Sequence, residues 1–201
     1  MTGPPAGPPD DDDAELIARS LAEPETFAGL YDRHAPEIHR YAARRLGEGA
    51  ADDITADTFL AAFRTRNRYD GSRRSARPWL YGIAANLIGK HRRSEERGLR
   101  ALARTGRDPV ADSWSEHVDE RIAARAPLAS ALAGLSPGDR HVLLLVAWAD
   151  LGYQEVAEAL GIPLGTVRSR LNRARRKVRE ALGADPSFTP DAMELTSSWT
   201  K

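Results

Sequence analysis

Apolar positions along this chain recur in steps of three and four, and nowhere do they alternate over a sustained stretch. That period belongs to helices, so the pattern predicts an all-α chain without strands. Phe27, Leu30, Tyr31, His34, Ile38, Tyr41, Ala42 and Leu46 trace one stripe of a long amphipathic helix, which Gly47 and Gly49 end. A second helix spans residues 54–63, with Phe59 and Phe63 four apart. A polar, basic connector over residues 64–77 leads to a third helix over residues 79–93, opened by Pro78, with Leu80, Ile83, Ala84 and Leu87 on its buried face. Proline suits a first helical turn, where its missing N–H has no intrahelical partner to lose.

Beyond residue 95 the periodicity weakens. Gly98, Gly106 and Pro109 interrupt it, and Asp108, Asp112, Glu116, Asp119 and Glu120 make it acidic. A long irregular connection is unusual inside one compact domain, so this stretch reads as a linker with some helical turns between two domains. In the second domain Ser136-Pro137-Gly138-Asp139 is a helix start: serine as cap, proline at the first position, acid at the third. Val142, Leu143, Val146 and Ala147 give that helix its apolar face. The expected organisation is a disordered acidic tail (1–14), a helical domain (15–97), a linker (98–126), a second helical domain (127–182) and a C-terminal tail (183–201). The fold class is therefore two small helical domains joined by a flexible linker.

Residues 153–182 carry the strongest chemical signal. Val156, Ala157 and Leu160 mark a short helix, Gly161-Ile162-Pro163 breaks it, and a second helix follows with Val167, Leu171, Ala174, Val178 and Leu182 as its apolar stripe. Between those positions lie Arg168, Arg170, Arg173, Arg175, Arg176, Lys177 and Arg179, with no acid before Glu180. An ordinary solvated helix face alternates signs for i,i+4 pairing, whereas a run of like charges repels itself unless a polyanion neutralises it. A helix–turn–helix sets such a helix in the DNA major groove, where its N-terminal half meets base edges.

Composition alters this picture in one respect. The 29 basic and 29 acidic residues cancel, yet they are unevenly placed. An acidic N-terminus precedes a basic stretch over residues 64–100, and the arginine-rich helix forms a second basic patch. There is no cysteine, which removes disulfides, thiol chemistry and cysteine-ligated zinc. The five histidines lack the spacing of a metal site, and no glycine loop precedes a lysine and serine as in a phosphate cradle. No catalytic residues, metal, cofactor or small-molecule substrate are expected, and an enzyme is not. Neither a signal peptide nor a run of membrane-spanning length is evident, which points to a cytoplasmic protein without membrane insertion.

Four segments, FAGLYDRHAPEIHRYAARRL, DDITADTFLAAFR, RPWLYGIAANLIGKHRR and the stretch from LSPGDRHVLLL to RRKVREAL, occur in this order between about residues 27 and 182. Together they resemble the extracytoplasmic-function (ECF) sigma factors of bacterial RNA polymerase, in the sigma-70 family. The resemblance implies that the first domain is sigma region 2, which binds core polymerase and opens and reads the −10 element. It implies that the second is region 4, which reads the −35 element. Core RNA polymerase and promoter DNA are the implied partners, and an anti-sigma factor is a further candidate. Two alternatives remain open: a helix–turn–helix regulator, which leaves the first domain unexplained, and a sigma mimic that binds polymerase or an anti-sigma factor without initiating.

Residue roles follow from chemistry and resemblance together. In region 4, Arg168, Ser169, Asn172 and Arg173 are candidates for base readout, with Thr166 beside them, since arginine forks onto guanine and asparagine onto adenine. Arg170, Arg175, Arg176, Lys177, Tyr153 and Gln154 are candidates for phosphate contacts. In region 2, Arg73, Arg74, Arg77, Trp79 and Asn86 are candidates for the unpaired −10 strand, with Lys90, Arg92 and Arg93 for its phosphates. Trp79 could equally be a core aromatic, and Asn86 shares that ambiguity. Ala85 stands where many relatives carry an arginine, which would remove one phosphate contact. Asp53, Thr55, Asp57 and Thr58 match the segment that docks on the polymerase clamp, although acids at a helix start also suit the helix dipole.

Overall fold

The computed structural model describes residues 12–104 and 126–183. Expectations for the tails and linker that fall on residues 1–11, 105–125 and 184–201 lie outside the described residues. Among the described residues every regular element is helical. Helix α1 is Asp13–Arg19, a 3-10 turn follows at Pro24–Phe27, and α2 is Ala28–Leu46. Next come α3 (Glu48–Thr65), a 3-10 turn at Arg66–Arg68 and α4 (Arg77–Arg104). The remaining helices are α5 (Ala126–Ala133), α6 (Pro137–Trp148), α7 (Tyr153–Leu160) and α8 (Leu164–Ala181). Two compact units divide in sequence between Ile88 and Gly89, within α4.

In the first unit α2 and α3 pack along each other, joined by Gly47 alone. Gly47 sits at φ 87°, ψ 165°, a conformation open to glycine because it has no Cβ. Only Gly47 breaks the chain here; Gly49 lies inside α3, which starts earlier than the apolar pattern suggested. Burial of Ala51, Ile54 and Thr55 offsets the weak helix propensity of that glycine. The core joins Leu30, Ile38, Tyr41 and Ala42 of α2, Ile54, Phe59 and Ala62 of α3, and Leu80, Tyr81, Ala84, Ala85 and Ile88 of α4. Edge-to-face ring pairs lock it: Phe27 with Phe63 at 5.3 Å, Tyr31 with Phe59 at 4.8 Å, and Tyr41 with Tyr81 at 5.2 Å between centroids.

The buried face of α4 is turned from the expected one. Ile83 and Leu87 are half-buried, whereas Tyr81, Ala85 and Ile88 are inside. The Tyr41–Tyr81 ring contact fixes that rotation. Ala85 is fully buried, and its small side chain packs in the core. Both expected boundaries also shift: Asp12 caps α1 and Asp13 opens it, so the acidic tail stops short of residue 14, and α4 runs on to Arg104 inside the expected linker.

In the second unit α6 and α7 pack on each other and on α8, and α5 packs on α8. Its core is Leu135, Val142–Leu145 without a gap, Leu151, Val156, Val167, Leu171, Ala174 and Val178. The face of α6 therefore differs from expectation, since Leu144 and Leu145 are buried while Val146 is half-buried and Ala147 exposed. Helix α6 carries neighbours on more than one side, so a run of consecutive apolar residues is buried where a one-sided helix would show a stripe. The Ser136 hydroxyl accepts from the Asp139 N–H at 3.2 Å, as the cap sequence required. Arg140 then reaches back and donates to the carbonyls of Leu132 (2.7 Å), Ala133 (2.6 Å) and Leu135 (3.0 Å), closing the C-terminus of α5.

Candidate nucleic-acid interface

Helices α7 and α8 meet at a tight turn. Gly161 adopts the left-handed conformation, φ 61° and ψ 38°, and the Ile162 N–H returns to the Ala157 carbonyl at 3.0 Å. Pro163 precedes α8, and its carbonyl accepts the Thr166 N–H at 2.8 Å. Val167, Leu171, Ala174 and Val178 turn inward, which aims Arg168, Ser169, Asn172, Arg173, Arg176, Lys177 and Arg179 outward. Tyr153 and Gln154, at the start of α7, are exposed as well, and Thr166 is half-buried.

The arginines of α8 are not equivalent. Arg173 Nη1 donates to Asp139 Oδ1 at 3.3 Å, and that aspartate is 1% exposed at the start of α6. Arg170 is half-buried, its guanidinium lying so close over Gly138 that a Cβ there would meet Nη1 at 2.9 Å. Arg176 has an exposed, long contact to Glu180 at 3.7 Å, and Arg175 is half-buried. Arg168 and Lys177 are exposed on the outward face beside Ser169 and Asn172.

The connector between α3 and α4 is the second basic surface. Asp70 organises it, accepting from the Ser72 backbone (3.1 Å) and hydroxyl (2.7 Å) and from Arg73 Nε (3.2 Å). Tyr69 stacks obliquely on Trp79 at 5.0 Å, and its hydroxyl donates to the Arg73 carbonyl at 2.6 Å. Trp79 is thus half-buried against another aromatic, neither sealed in the core nor isolated. Arg73, Arg74 and Asn86 are exposed, as are Lys90 and Arg93 further along α4, with Arg92 half-buried. Arg77 is drawn inward instead, with Nε 3.2 and 3.1 Å from the two Glu37 oxygens.

That last contact belongs to a buried ionic cluster invisible to the helical pattern. Asp13 Oδ1 accepts from Arg33 at 2.7 Å, while Oδ2 meets the Ala76 N–H at 2.7 Å and His34 Nε2 at 2.8 Å. His34 Nδ1 lies 2.8 Å from Glu37 Oε1, and the Tyr81 hydroxyl lies 3.4 Å from Glu37 Oε2. Burial pushes the Asp13 carboxyl up, but hydrogen bonds from His34, Ala76 and Arg33 and the His34 charge outweigh it and hold it at about 2. Burial pushes His34 down, yet its bonds to Asp13 and Glu37 and their charges leave it raised. Glu37 is lowered, its burial overcome by His34 and Arg77. By periodicity His34 is one more member of an apolar stripe; the signal for the cluster is a histidine there with Arg33 before it and Glu37 one turn on.

On α3, the four docking candidates separate. Asp53 and Asp57 are exposed, whereas Thr55 and Thr58 are buried at 5% and 0% exposure. Their hydroxyls donate to the carbonyls four residues back, Ala51 (2.7 Å) and Ile54 (2.6 Å). Thr55 and Thr58 therefore belong to the core side of α3, while Asp53, Ala56, Asp57 and Leu60 are exposed on its outer side. Among the described residues no three histidine, cysteine or carboxylate side chains are grouped to hold a metal ion, and no helix is long and apolar enough to cross a membrane.

Residues 30–98 match the family described as Sigma-70 region 2, and residues 125–178 match Sigma-70, region 4. The chain is 32% identical over 170 residues to the ECF RNA polymerase sigma factor SigL of Mycobacterium tuberculosis, covering 84% of this chain and 96% of the relative. It also matches the structure of CnrH in complex with the cytosolic domain of CnrY, with a TM-score of 0.60 at 28% identity, covering 86% of this chain and 98% of that one. RpoE of Bartonella quintana, solved with the anti-sigma factor NepR, shares the fold at a TM-score of 0.57 and 22% identity, covering 79% of this chain and 98% of that one. The buried helix–turn–helix core, the outward basic face of α8 and these matches agree: the chain belongs to the ECF sigma factors, which bind core RNA polymerase and promoter DNA and direct transcription initiation.

Proposed function

We propose that the region 2 and region 4 segments divide promoter recognition between them. Helix α8 reads the −35 duplex through Arg168, Ser169, Asn172 and Arg173, with Thr166 alongside. Arg170, Arg175, Arg176, Lys177, Tyr153 and Gln154 supply phosphate contacts. The connector and the start of α4 take the unpaired −10 strand: Trp79, already packed obliquely on Tyr69, offers an aromatic surface to a base, and Arg73, Arg74 and Lys90 follow the backbone. Arg77, held by Glu37, shapes that surface from within, and Asn86, Arg92 and Arg93 extend it along α4. The exposed carboxylates of Asp53 and Asp57 dock on a basic surface of core polymerase.

The observation that carries this reading is the outward face of α8, where Arg168, Ser169, Asn172 and Lys177 stand clear of a fully apolar inner face. The protein acts without enzymatic activity of its own, in the cytoplasm where polymerase and promoter are found. An anti-sigma factor is a further partner by analogy with the RpoE complex. Run-off transcription with purified core polymerase tests the whole: a transcript starting at one promoter supports it. Duplex binding without a transcript would make the chain a regulator, and polymerase binding without a transcript would make it a mimic.

A further inference from the structure

The Asp13 cluster reaches the connector through its backbone. Asp13 receives the Ala76 N–H at 2.7 Å and gives its own N–H to the Arg74 carbonyl at 3.1 Å, so the first residue of α1 clamps both sides of Ser75. Asp12 Oδ2 adds a contact to Arg74 Nε at 3.3 Å. One step further in, Glu37 holds Arg77, the residue that starts α4. His34 joins the two carboxylates, with a ring nitrogen 2.8 Å from each. A neutral imidazole carries one N–H and could donate to only one of them, so this geometry calls for the doubly protonated ring.

We propose that Asp13 and His34 are positioning residues for the −10 strand, forming a proton-dependent clasp that fixes the backbone of residues 74–77 so that Arg74 and Trp79 meet the unpaired DNA. This rests on the reading of the connector as the strand-binding segment. The groups facing His34 and its partner carboxylates are Asp12 and Asp13 from α1 and its cap, Arg33 and Glu37 from α2, Tyr69, Arg73 and Arg74 from the connector, and Arg77 and Tyr81 from α4. Two carboxylates flank the ring directly, and each also holds a cation, Arg33 on Asp13 and Arg77 on Glu37. Loss of the His34 proton therefore leaves Asp13 and Glu37 facing across a neutral ring, and the clamp on Ala76 and Arg77 slackens. The connector would be ordered at lower pH and loosened as pH rises through the raised His34 value.

The test uses holoenzyme reconstituted from the full chain and core polymerase. Binding is measured to a fork-junction DNA with an unpaired −10 strand and, separately, to a −35 duplex, across a pH series. Asp13→Asn is expected to weaken fork-junction binding at least about tenfold, the scale of a lost charged hydrogen bond, while leaving the −35 duplex unchanged. His34→Gln should remove the alkaline fall in fork-junction binding that the native protein shows. Amide exchange at Ala76 in the free full chain should quicken in Asp13→Asn by a similar factor. A native fork-junction profile that is flat with pH, or one kept unchanged in His34→Gln, overturns the proposal without needing any variant at Asp13. If Arg74→Ala with Trp79→Ala leaves fork-junction binding intact while Asp13→Asn still quickens exchange, the strand-binding reading itself fails, and Asp13 is only a fold anchor.

Discussion

Arg173 has two claims on it, and one substitution series separates them. Its chemistry suits guanine, yet its Nη1 lies 3.3 Å from Asp139 Oδ1. Arg173→Ala would leave that carboxylate without its cation at a site 1% exposed, where Oδ2 already has no hydrogen-bond partner among the described residues. Stranding a buried charge costs about 3–5 kcal/mol when no water reaches it. Here the Arg173 side chain is 49% exposed, so water can follow where it leaves, and the expected loss falls to about 2 kcal/mol. Asp139→Asn removes the attraction but strands nothing, since the released guanidinium is hydrated, and should cost about 1 kcal/mol, including the favourable dipole at the start of α6.

The assay is a double-mutant cycle on the full chain by urea unfolding, paired with holoenzyme binding to matched and scrambled −35 duplexes. The double variant should regain about 1 kcal/mol relative to the sum of the singles. Arg173→Ala should also narrow the gap between matched and scrambled DNA, by about 1–3 kcal/mol for a bidentate contact to guanine. Strictly additive stabilities would refute the ion-pair account. An undiminished gap in Arg173→Ala would strip Arg173 of base readout and leave it holding α8 to α6.

Asp13, at about 2 when folded against 3.8 free, contributes stability above pH 3.8, about 2 kcal/mol, which is lost as pH falls toward 2. His34 is raised, so its contribution is complete below its ordinary value near 6.5 and lost as pH rises through the folded value; unfolding midpoints should therefore fall on both flanks. Arg140→Ala frees the last two carbonyls of α5 and that of Leu135 and should lower stability by about 2–3 kcal/mol in the same urea titration, with little relief from lysine, which lacks the fork. Asp53→Arg with Asp57→Arg should lower core-polymerase affinity at least about tenfold, as measured by competition, and shift the unfolding midpoint little because both side chains are exposed. Thr58→Ala should do the reverse.

Helix identity was legible because it depends on neighbours three and four residues away, and the same reach sets what was missed. The α6 cap and the α7–α8 turn are local, and Ser136, Asp139, Gly161 and Pro163 behave as their types require. The rotation of α4 depends on Tyr41 meeting Tyr81, a contact 40 residues apart that no period reveals. Asp13 lies 21 residues from His34 and 63 from Ala76, so its cluster could not be read from spacing at all. Gly49 and the far end of α4 fail in the opposite sense, because helix-weakening residues are overruled once a helix is supported elsewhere. On α3, Asp and Thr look alike as polar residues, but a threonine hydroxyl can satisfy itself on the carbonyl four residues back and be buried; an aspartate cannot.

That distinction bears on how charge should be counted in such a protein. Arg33 pairs with buried Asp13 and Arg77 with half-buried Glu37, Arg140 closes a helix end and Arg173 is shared with Asp139, so a sizeable part of the basic complement is committed within the fold. Each is held by its far tip, where the planar fork meets two or three oxygens or one fixed carboxylate, a use for which lysine is poorly shaped. The lysines described, Lys90 and Lys177, are both exposed on the proposed DNA faces. An arginine count therefore overstates the cation available to phosphate, and the salt dependence of binding should follow the outward subset, at a slope of about −0.9 for each phosphate neutralised. On the proposed division of roles, promoter choice would depend on the carboxylates that hold these arginines, Asp139, Glu37 and Asp13, as well as on the arginines that reach the DNA.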